Sequence, residues 1–93
     1  MPSVAAIVVT YNPDRSVIDN ILNYIDEVDS VIAVDNSEKA HSRFVSFAEQ
    51  RKWTYVQNGT NLGIARALNV GMKEAQKRHA DYALLDGPGQ QIF

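Results

Sequence analysis

The sequence predicts an α/β fold in which helices cover both faces of a mainly parallel sheet of about four strands. Short apolar runs alternate along the chain with longer segments whose apolar residues recur at helical spacing. Turn-forming residues follow each short run. Strands that alternate with helices favour parallel pairing through right-handed crossovers. We therefore expect three layers in the order β-α-β-α-β-α-β, with no internal domain boundary.

The first strand is predicted at residues 4–9, because VAAIVV is a continuous apolar run, typical of a strand buried on both faces. An Asn-Pro-Asp triplet at residues 12–14 interrupts it. The first helix is predicted between residues 17 and 28, where apolar side chains recur at helical spacing. Ser16 and Asp19 are placed like a capping box at its start.

The middle of the chain repeats this alternation. The apolar run VIAV predicts a second buried strand at residues 31–34, which ends in Asp-Asn-Ser. Apolar residues between 44 and 48 predict a shorter helix that ends near residues 51–52. Aromatic and β-branched side chains at residues 53–56 predict a third strand, and an Asn-Gly pair stops it.

The third helix is predicted at residues 62–79, and the chain enters it through the amide-rich and glycine-rich stretch NGTNLG. Its apolar face comprises Ile64, Leu68, Met72 and Ala75. The fourth strand is predicted at residues 82–85 and ends at Asp86.

The composition is that of one small globular domain, with 45% hydrophobic residues, 22% charged residues and a net charge of -2. Lys and Arg are scattered, so we expect no nucleic-acid partner. The absence of cysteine excludes disulfides, thiolate metal sites and thiol nucleophiles, and it fits a cytoplasmic location.

Polar side chains stand at the end of every predicted strand. Turns favour such residues in any case, but ligands of open parallel sheets also bind beyond the carboxyl ends of the strands. Polar ends on all the strands, beside an aromatic ring, favour a small polar ligand whose own ring can stack. The residues are Thr10, Tyr11 and Asn12, then Asp35, Asn36 and Ser37, then Gln57, Asn58 and Gly59, and finally Asp86.

The stretch before the third helix adds candidate binding residues. Asn61 and Gly63 form a loop that lets the backbone approach a ligand, and the helix behind it directs free N–H groups toward the same crevice. Arg66 lies near the first turn, where it could reach an anion or remain a solvated helix charge. The spacing matches neither the dinucleotide fingerprint nor a phosphate-binding P-loop.

Four segments together resemble the beginning of a family 2 glycosyltransferase. They are VVTYN at residues 8–12, VDNSE at 34–38, the pattern N-x-G-x-A-x-A-x-N-x-G at 61–71, and DYALLD at 81–86. The likeness covers residues 4–86 and is to the bacterial rhamnosyltransferase group, which uses dTDP-rhamnose to build O-antigen and related polysaccharides.

The resemblance implies a GT-A fold whose N-terminal half is a Rossmann-like unit that binds a dTDP- or UDP-sugar. By this likeness, Asp35 accepts a hydrogen bond from the pyrimidine edge. It also implies a divalent cation, Mg²⁺ or Mn²⁺, for the complete enzyme, with Asp86 as the first acid of a D-x-D-type metal motif. The other residues that the likeness assigns to the nucleotide site are Thr10, Tyr11, Asn12, Asn36, Asn61 and Gly63.

The chain departs from the family pattern after Asp86, where GPGQQIF supplies no second acid. We expect residues 1–86 to be the nucleotide-sugar-binding part and residues 87–93 to be a non-family tail, left by truncation or cloning. No catalytic residue is assigned, since the family's general base lies further along the chain, and we expect no transfer by this chain alone. An exposed fourth strand would invite pairing with a second copy and form a homodimer.

The alternative to a glycosyltransferase fragment is a non-catalytic flavodoxin-like regulatory or interaction module, which also alternates strands and helices. A receiver domain needs an acidic cluster after the first strand and an Asp after the third, but here those strands end in TYN and QNG. The sequence leaves open the donor sugar, the acceptor and any membrane association of the parent enzyme.

Overall fold

The computed structural model describes residues 2–87 and 91–92 and contains one mixed sheet. Its strands, in chain order from β1 to β5, are Val4–Thr10, Ser30–Asp35, Thr54–Gln57, Tyr82–Gly87 and Gln91–Ile92. Their spatial order is β3-β2-β1-β4-β5. The first four strands are parallel, and the short β5 is antiparallel to β4. The predicted α/β fold with a mainly parallel sheet is confirmed.

Three helices connect the parallel strands, as the alternating pattern predicts. They are α1 (Arg15–Tyr24), α2 (Ser42–Gln50) and α3 (Ile64–Lys77). A 3-10 turn at Ile25–Glu27 continues α1, so the long apolar pattern there covers two elements. The helix α3 lies within the predicted limits but is shorter at both ends.

The predicted capping box at the start of α1 is wrong, because the cap is Asp14. Asp14 has an extended backbone, and its carboxylate accepts hydrogen bonds from Ser16 N at 2.9 Å and Ser16 Oγ at 2.6 Å. Ser16 is already inside the helix, and Asp19 pairs with Arg15 instead. A carboxylate just before the first turn satisfies an otherwise free N–H group, which is the usual function of an N-cap.

The helices divide between the two faces of the sheet. Alternate residues of β1 point to opposite sides, so Ala6 and Val8 pack against α1 and α2. Ala5, Ile7 and Val9 pack against α3 on the other side. Since β1 lies in the centre of the sheet, both apolar layers meet on it.

One glycine of the third helix, Gly71, is required by close packing against the sheet. It is buried in α3, and a Cβ atom at this position would clash with Cγ2 of Ile7. The absence of a side chain therefore lets α3 lie close to β1.

The register aligns the polar ends of three strands. Thr10 of β1 pairs with Asp35 of β2, and Asp35 pairs with Gln57 of β3. Asp86 of β4 pairs with Val8, two residues before the end of β1. The carboxyl ends of β1, β2 and β3 therefore reach one edge together, while Asp86 lies deeper in the sheet.

The free edge of β4 is smaller than the sequence predicts. Two residues of the tail form β5, which pairs with Asp86 and Gly87. Residues 82–85 have no neighbour on that side in the described part of the chain, and Tyr82 is 63% exposed. Homodimer formation through this edge remains a prediction.

Candidate functional site

Four buried polar side chains lie together at the carboxyl ends of β1 and β2, and we call them the strand-end cluster. They are Thr10, Asp35, Asn36 and Ser37, each no more than 3% exposed. Three of them come from one run, since β2 ends at Asp35 and the chain continues through Asn36 and Ser37. Buried polar groups are normally hydrogen-bonded, so their partners indicate what holds the cluster together.

Asp35 is the centre of the cluster and accepts hydrogen bonds on both carboxylate oxygens. Oδ1 accepts from Ser37 N at 3.0 Å and from Ser37 Oγ at 2.6 Å. Oδ2 accepts from the Tyr55 hydroxyl at 2.6 Å. Burial, together with the hydrogen bond to Asp35 and its charge, raises the pKa of Tyr55 above its usual value. Tyr55 therefore remains a neutral donor at neutral pH.

Asn36 holds the loop that precedes α3. Its Nδ2 donates to the Gly63 carbonyl at 3.3 Å, and its Oδ1 accepts from Asn58 Nδ2 at 2.8 Å and Leu62 N at 3.5 Å. Asn61 closes the turn, since its Oδ1 accepts from Gly63 N at 2.9 Å. Gly63 has φ of 80°, a conformation that favours glycine. The amides and glycines of this stretch therefore shape the loop and tie it to β2.

The segment after β1 is tied to the same cluster through Asn12. Its backbone N donates to Ser37 Oγ at 2.7 Å, and its Oδ1 lies 3.0 Å from Nε2 of His41. Asn12 has φ of 47°, which non-glycine residues adopt only rarely. Tyr11, which directly follows Thr10 in the chain, is 45% exposed.

Thr10 is the exception in the cluster. Its Oγ1 is buried and has no hydrogen-bond partner among the described residues. Thr10 pairs with Asp35 across the two strands, and strand alternation directs both side chains to the face covered by α1 and α2. An unpartnered buried hydroxyl thus lies beside a carboxylate.

Arg66 and Asn61 are among the predicted residues that do not join the strand-end cluster. Arg66 is exposed on α3 and makes no ion pair with a described residue. Asn61 is exposed, and its carbonyl oxygen is used within its own loop. The structure brings together Thr10, Asn12, Asp35, Asn36 and the backbone of Gly63.

The predicted nucleotide site omits Tyr55 and His41, and the sequence marks Ser37 only as a polar strand end, although all three contact the predicted residues. Ser37 directly follows Asn36, so its place at the strand end was a usable signal. Tyr55 is within the third strand, where an aromatic side chain reads as part of the core. His41 reaches Asn12 across 29 residues of chain, and local patterns carry no signal for such a contact.

Asp86 is 1% exposed, and its side chain contacts α1 instead of the strand-end cluster. Its Oδ2 accepts hydrogen bonds from Asn20 Nδ2 and from the Tyr24 hydroxyl, each at 3.0 Å. Burial raises the pKa of Asp86, and these two hydrogen bonds partly offset the rise. Asp86 therefore anchors α1 to β4.

The surroundings of Asp86 do not fit a divalent cation in this arrangement. Mg²⁺ needs carboxylate oxygens that are open to water and to phosphate, whereas Asp86 is only 1% exposed and its Oδ2 already accepts two hydrogen bonds. Within residues 2–87 and 91–92, no three His, Cys, Asp or Glu side chains are grouped as metal ligands would be. Coordination through Oδ2 would require Asn20 and Tyr24 to move away, and metal binding by Asp86 stays a prediction.

A cavity of about 680 Å³ lies between α1 and α2. Ile18 and Leu22 line it from α1, and Phe44 and Phe47 line it from α2. None of the predicted nucleotide-binding residues contributes to its walls. Pro13 and His41 also line it, so the cavity borders the segment that follows β1.

Comparisons with known proteins add no identification. The sequence matches no protein-family model, no curated protein and no solved structure. The likeness to family 2 glycosyltransferases consequently rests on the sequence segments themselves. None of the helices in the described residues is both long and apolar enough to cross a membrane.

Proposed function

We propose that this chain is the donor-nucleotide-binding part of a family 2 glycosyltransferase and that its ligand is a dTDP- or UDP-sugar. The complete enzyme would transfer the sugar, rhamnose from dTDP-rhamnose in the resembling group, to a cell-surface polysaccharide acceptor. A cytoplasmic location belongs to the same proposal. The single observation that carries it is the unpartnered hydroxyl of Thr10 inside the strand-end cluster.

An unsatisfied buried hydroxyl destabilises a folded protein by about 1–3 kcal/mol. Such a cost is expected where a ligand supplies the missing hydrogen bond. Sequence and geometry give independent reasons to assign Thr10 to the binding site. Its hydroxyl lacks a partner, and it lies within the VVTYN segment that carries the family resemblance.

The groups around Thr10 are complementary to the imide edge of thymine or uracil. That edge presents one N–H donor between two carbonyl acceptors. The Thr10 hydroxyl can donate to a carbonyl, and the neighbouring Asp35 carboxylate can accept from the N–H group. Tyr11, which is 45% exposed, offers a ring on which a base can stack.

Entry of a base requires movement of the segment that follows β1. Asp35 is fully buried, and the N–H group of Asn12 is bonded to Ser37 beside it. We propose that residues 11–13 shift outward when the nucleotide enters. Asn12 holds the segment through two hydrogen bonds, to Ser37 and to His41, so their loss would release it. The proposal assigns nucleotide binding to this chain, and no step of it passes through a metal ion.

The decisive experiment is a calorimetric titration of the protein with dTDP, repeated on Thr10→Val. The isosteric change removes the hydroxyl, so we expect weaker dTDP binding together with higher thermal stability. Thr54→Val is the matched control, because Thr54 is a half-buried strand residue on β3 outside the strand-end cluster. A wild-type protein that binds neither dTDP nor UDP at millimolar concentration would refute the proposal.

The second candidate is a non-catalytic flavodoxin-like module. The observation that favours it is the closed state of Asp35, which already has three hydrogen bonds and no exposed surface. A buried carboxylate with these internal hydrogen bonds can have a purely structural role. This candidate predicts a stabilised Thr10→Val variant and no nucleotide binding by either protein.

A further inference from the structure

We infer that Tyr55 is a positioning residue that fixes the Asp35 carboxylate and thereby makes the site selective for thymine or uracil over cytosine. This inference rests on the proposed nucleotide-binding function. It concerns a residue outside every segment that carries the glycosyltransferase resemblance, and the contacts of Tyr55 are its basis.

The position of Tyr55 is fixed from two sides. Its backbone lies in β3, where Tyr55 pairs with Ala33 of β2. The next pair on the same face of the sheet is Asp35 with Gln57. Its ring packs against Phe44 of α2, with ring centroids 6.1 Å apart. From there the hydroxyl reaches Asp35 Oδ2 at 2.6 Å. Since ring and backbone are both packed, the hydroxyl is a stationary donor.

The hydrogen bonds around Asp35 leave one acceptor position open. A carboxylate offers roughly four lone-pair directions, two on each oxygen. Ser37 fills both on Oδ1, and Tyr55 fills one on Oδ2. Among the described contacts, one direction on Oδ2 therefore remains for a ligand, and the carboxylate cannot rotate without losing bonds at both oxygens.

A single fixed acceptor suits an imide better than a cytosine. The imide N–H group lies on the ring, directly between two carbonyls, whereas cytosine has an acceptor nitrogen there and carries its donors on an exocyclic amine. To meet that amine, the carboxylate would have to shift along the base edge. Tyr55 and Ser37 oppose this shift, so the fixed carboxylate repels the ring nitrogen of cytosine and disfavours that base.

The experiment compares dTDP and dCDP binding to wild type and to Tyr55→Phe, which removes only the hydroxyl. We expect wild type to prefer dTDP by about tenfold or more, as befits one hydrogen bond to a charged group. The variant should bring the ratio of the two affinities close to one. Tyr82→Phe is the control, because Tyr82 is 63% exposed, and it should leave the ratio unchanged.

The outcomes separate the inference from the proposed function. If wild type binds neither nucleotide, the proposed function fails. If wild type prefers dTDP and Tyr55→Phe lowers both affinities equally, Tyr55 has only a structural role and the inference is overturned. Should Tyr55→Phe not fold, Ser37→Ala provides a second test, since it removes the hydroxyl donor to Oδ1 and leaves only the backbone N–H group there. A ratio that falls in Ser37→Ala supports the inference, and an unchanged ratio overturns it.

Discussion

Asp35 and Asp86 are both buried aspartates at the ends of strands that flank β1, yet their surroundings differ. Asp35 is in register with Thr10 and belongs to the strand-end cluster. Asp86 is in register with Val8 and accepts hydrogen bonds from α1. Both side chains point to the face of the sheet that α1 and α2 cover.

The difference between them is one of register. A strand rises about 3.3 Å per residue, so two residues place Asp86 about 7 Å below the level of Asp35. At that depth the nearest polar groups belong to the middle and end of α1. The register of its strand therefore decides whether an acidic residue at a strand end is a candidate ligand-binding residue or holds a helix in place.

The largest expected effect is that of Asp35→Ala on stability. The change leaves the Tyr55 hydroxyl and the Ser37 hydroxyl and N–H group without their acceptor inside the protein. We expect the free energy of unfolding to fall by about 4 kcal/mol, which urea denaturation would measure. Asp26→Ala, at an exposed position, should change it by less than about 0.5 kcal/mol. Equal effects at the two positions would show that the contacts of Asp35 contribute little.

Tyr24→Phe tests the other half of the comparison. It removes one of the two donors to Asp86 and leaves the ring in place. We expect a loss of about 1–2 kcal/mol in the free energy of unfolding, with unaltered dTDP binding. Reduced nucleotide affinity without a change in stability would contradict the separation of Asp86 from the strand-end cluster.

Thr10→Val should raise stability, in contrast to both changes above. Replacing the unpartnered hydroxyl with a methyl group removes a buried polar atom at constant shape, so we expect a gain of about 1 kcal/mol. Thermal unfolding without ligand measures it. A destabilised variant would mean that the hydroxyl already has a partner in the folded protein.

The smallest expected effect is a change in pH dependence on replacing Asp86 with Asn. Because burial raises the folded-state pKa of Asp86 above 3.8, its protonated form is favoured by folding. The contribution of protonated Asp86 to stability is thus complete at pH values below its unfolded-state pKa, and it is lost as pH rises through its folded-state pKa. Asp86→Asn should therefore gain stability relative to wild type as pH increases from about 4. Parallel stability curves for the two proteins would contradict this.

The sequence predicts the fold well because the relevant signals are local. The apolar runs at residues 4–9 and 31–34 and the helical spacing in α3 each arise within one element. Polar strand ends are also local, which is why Thr10 and Asp35 were recognisable as candidates. The predicted Ser16 cap failed because Asp14 caps the helix instead and accepts the hydrogen bond from Ser16 N that a capping box would direct to Asp19.

The partners of the candidate residues were not predictable from local patterns. Tyr24 and Asp86 meet across 62 residues of chain, and their contact depends on the register between β1 and β4. Tyr55 lies between two half-buried residues of β3 and is indistinguishable in sequence from any core aromatic. Periodicity gives the face of an element, whereas register and depth come only from tertiary packing.

The most direct test of the nucleotide-binding proposal is a dTDP titration followed by amide chemical shifts in two-dimensional ¹H–¹⁵N spectra of the labelled protein. The proposal predicts saturable shifts at Thr10, Asn12 and Asp35, with little change at Asn20 and Tyr24. Shifts confined to the cavity between α1 and α2, or no saturable shifts anywhere, would contradict it.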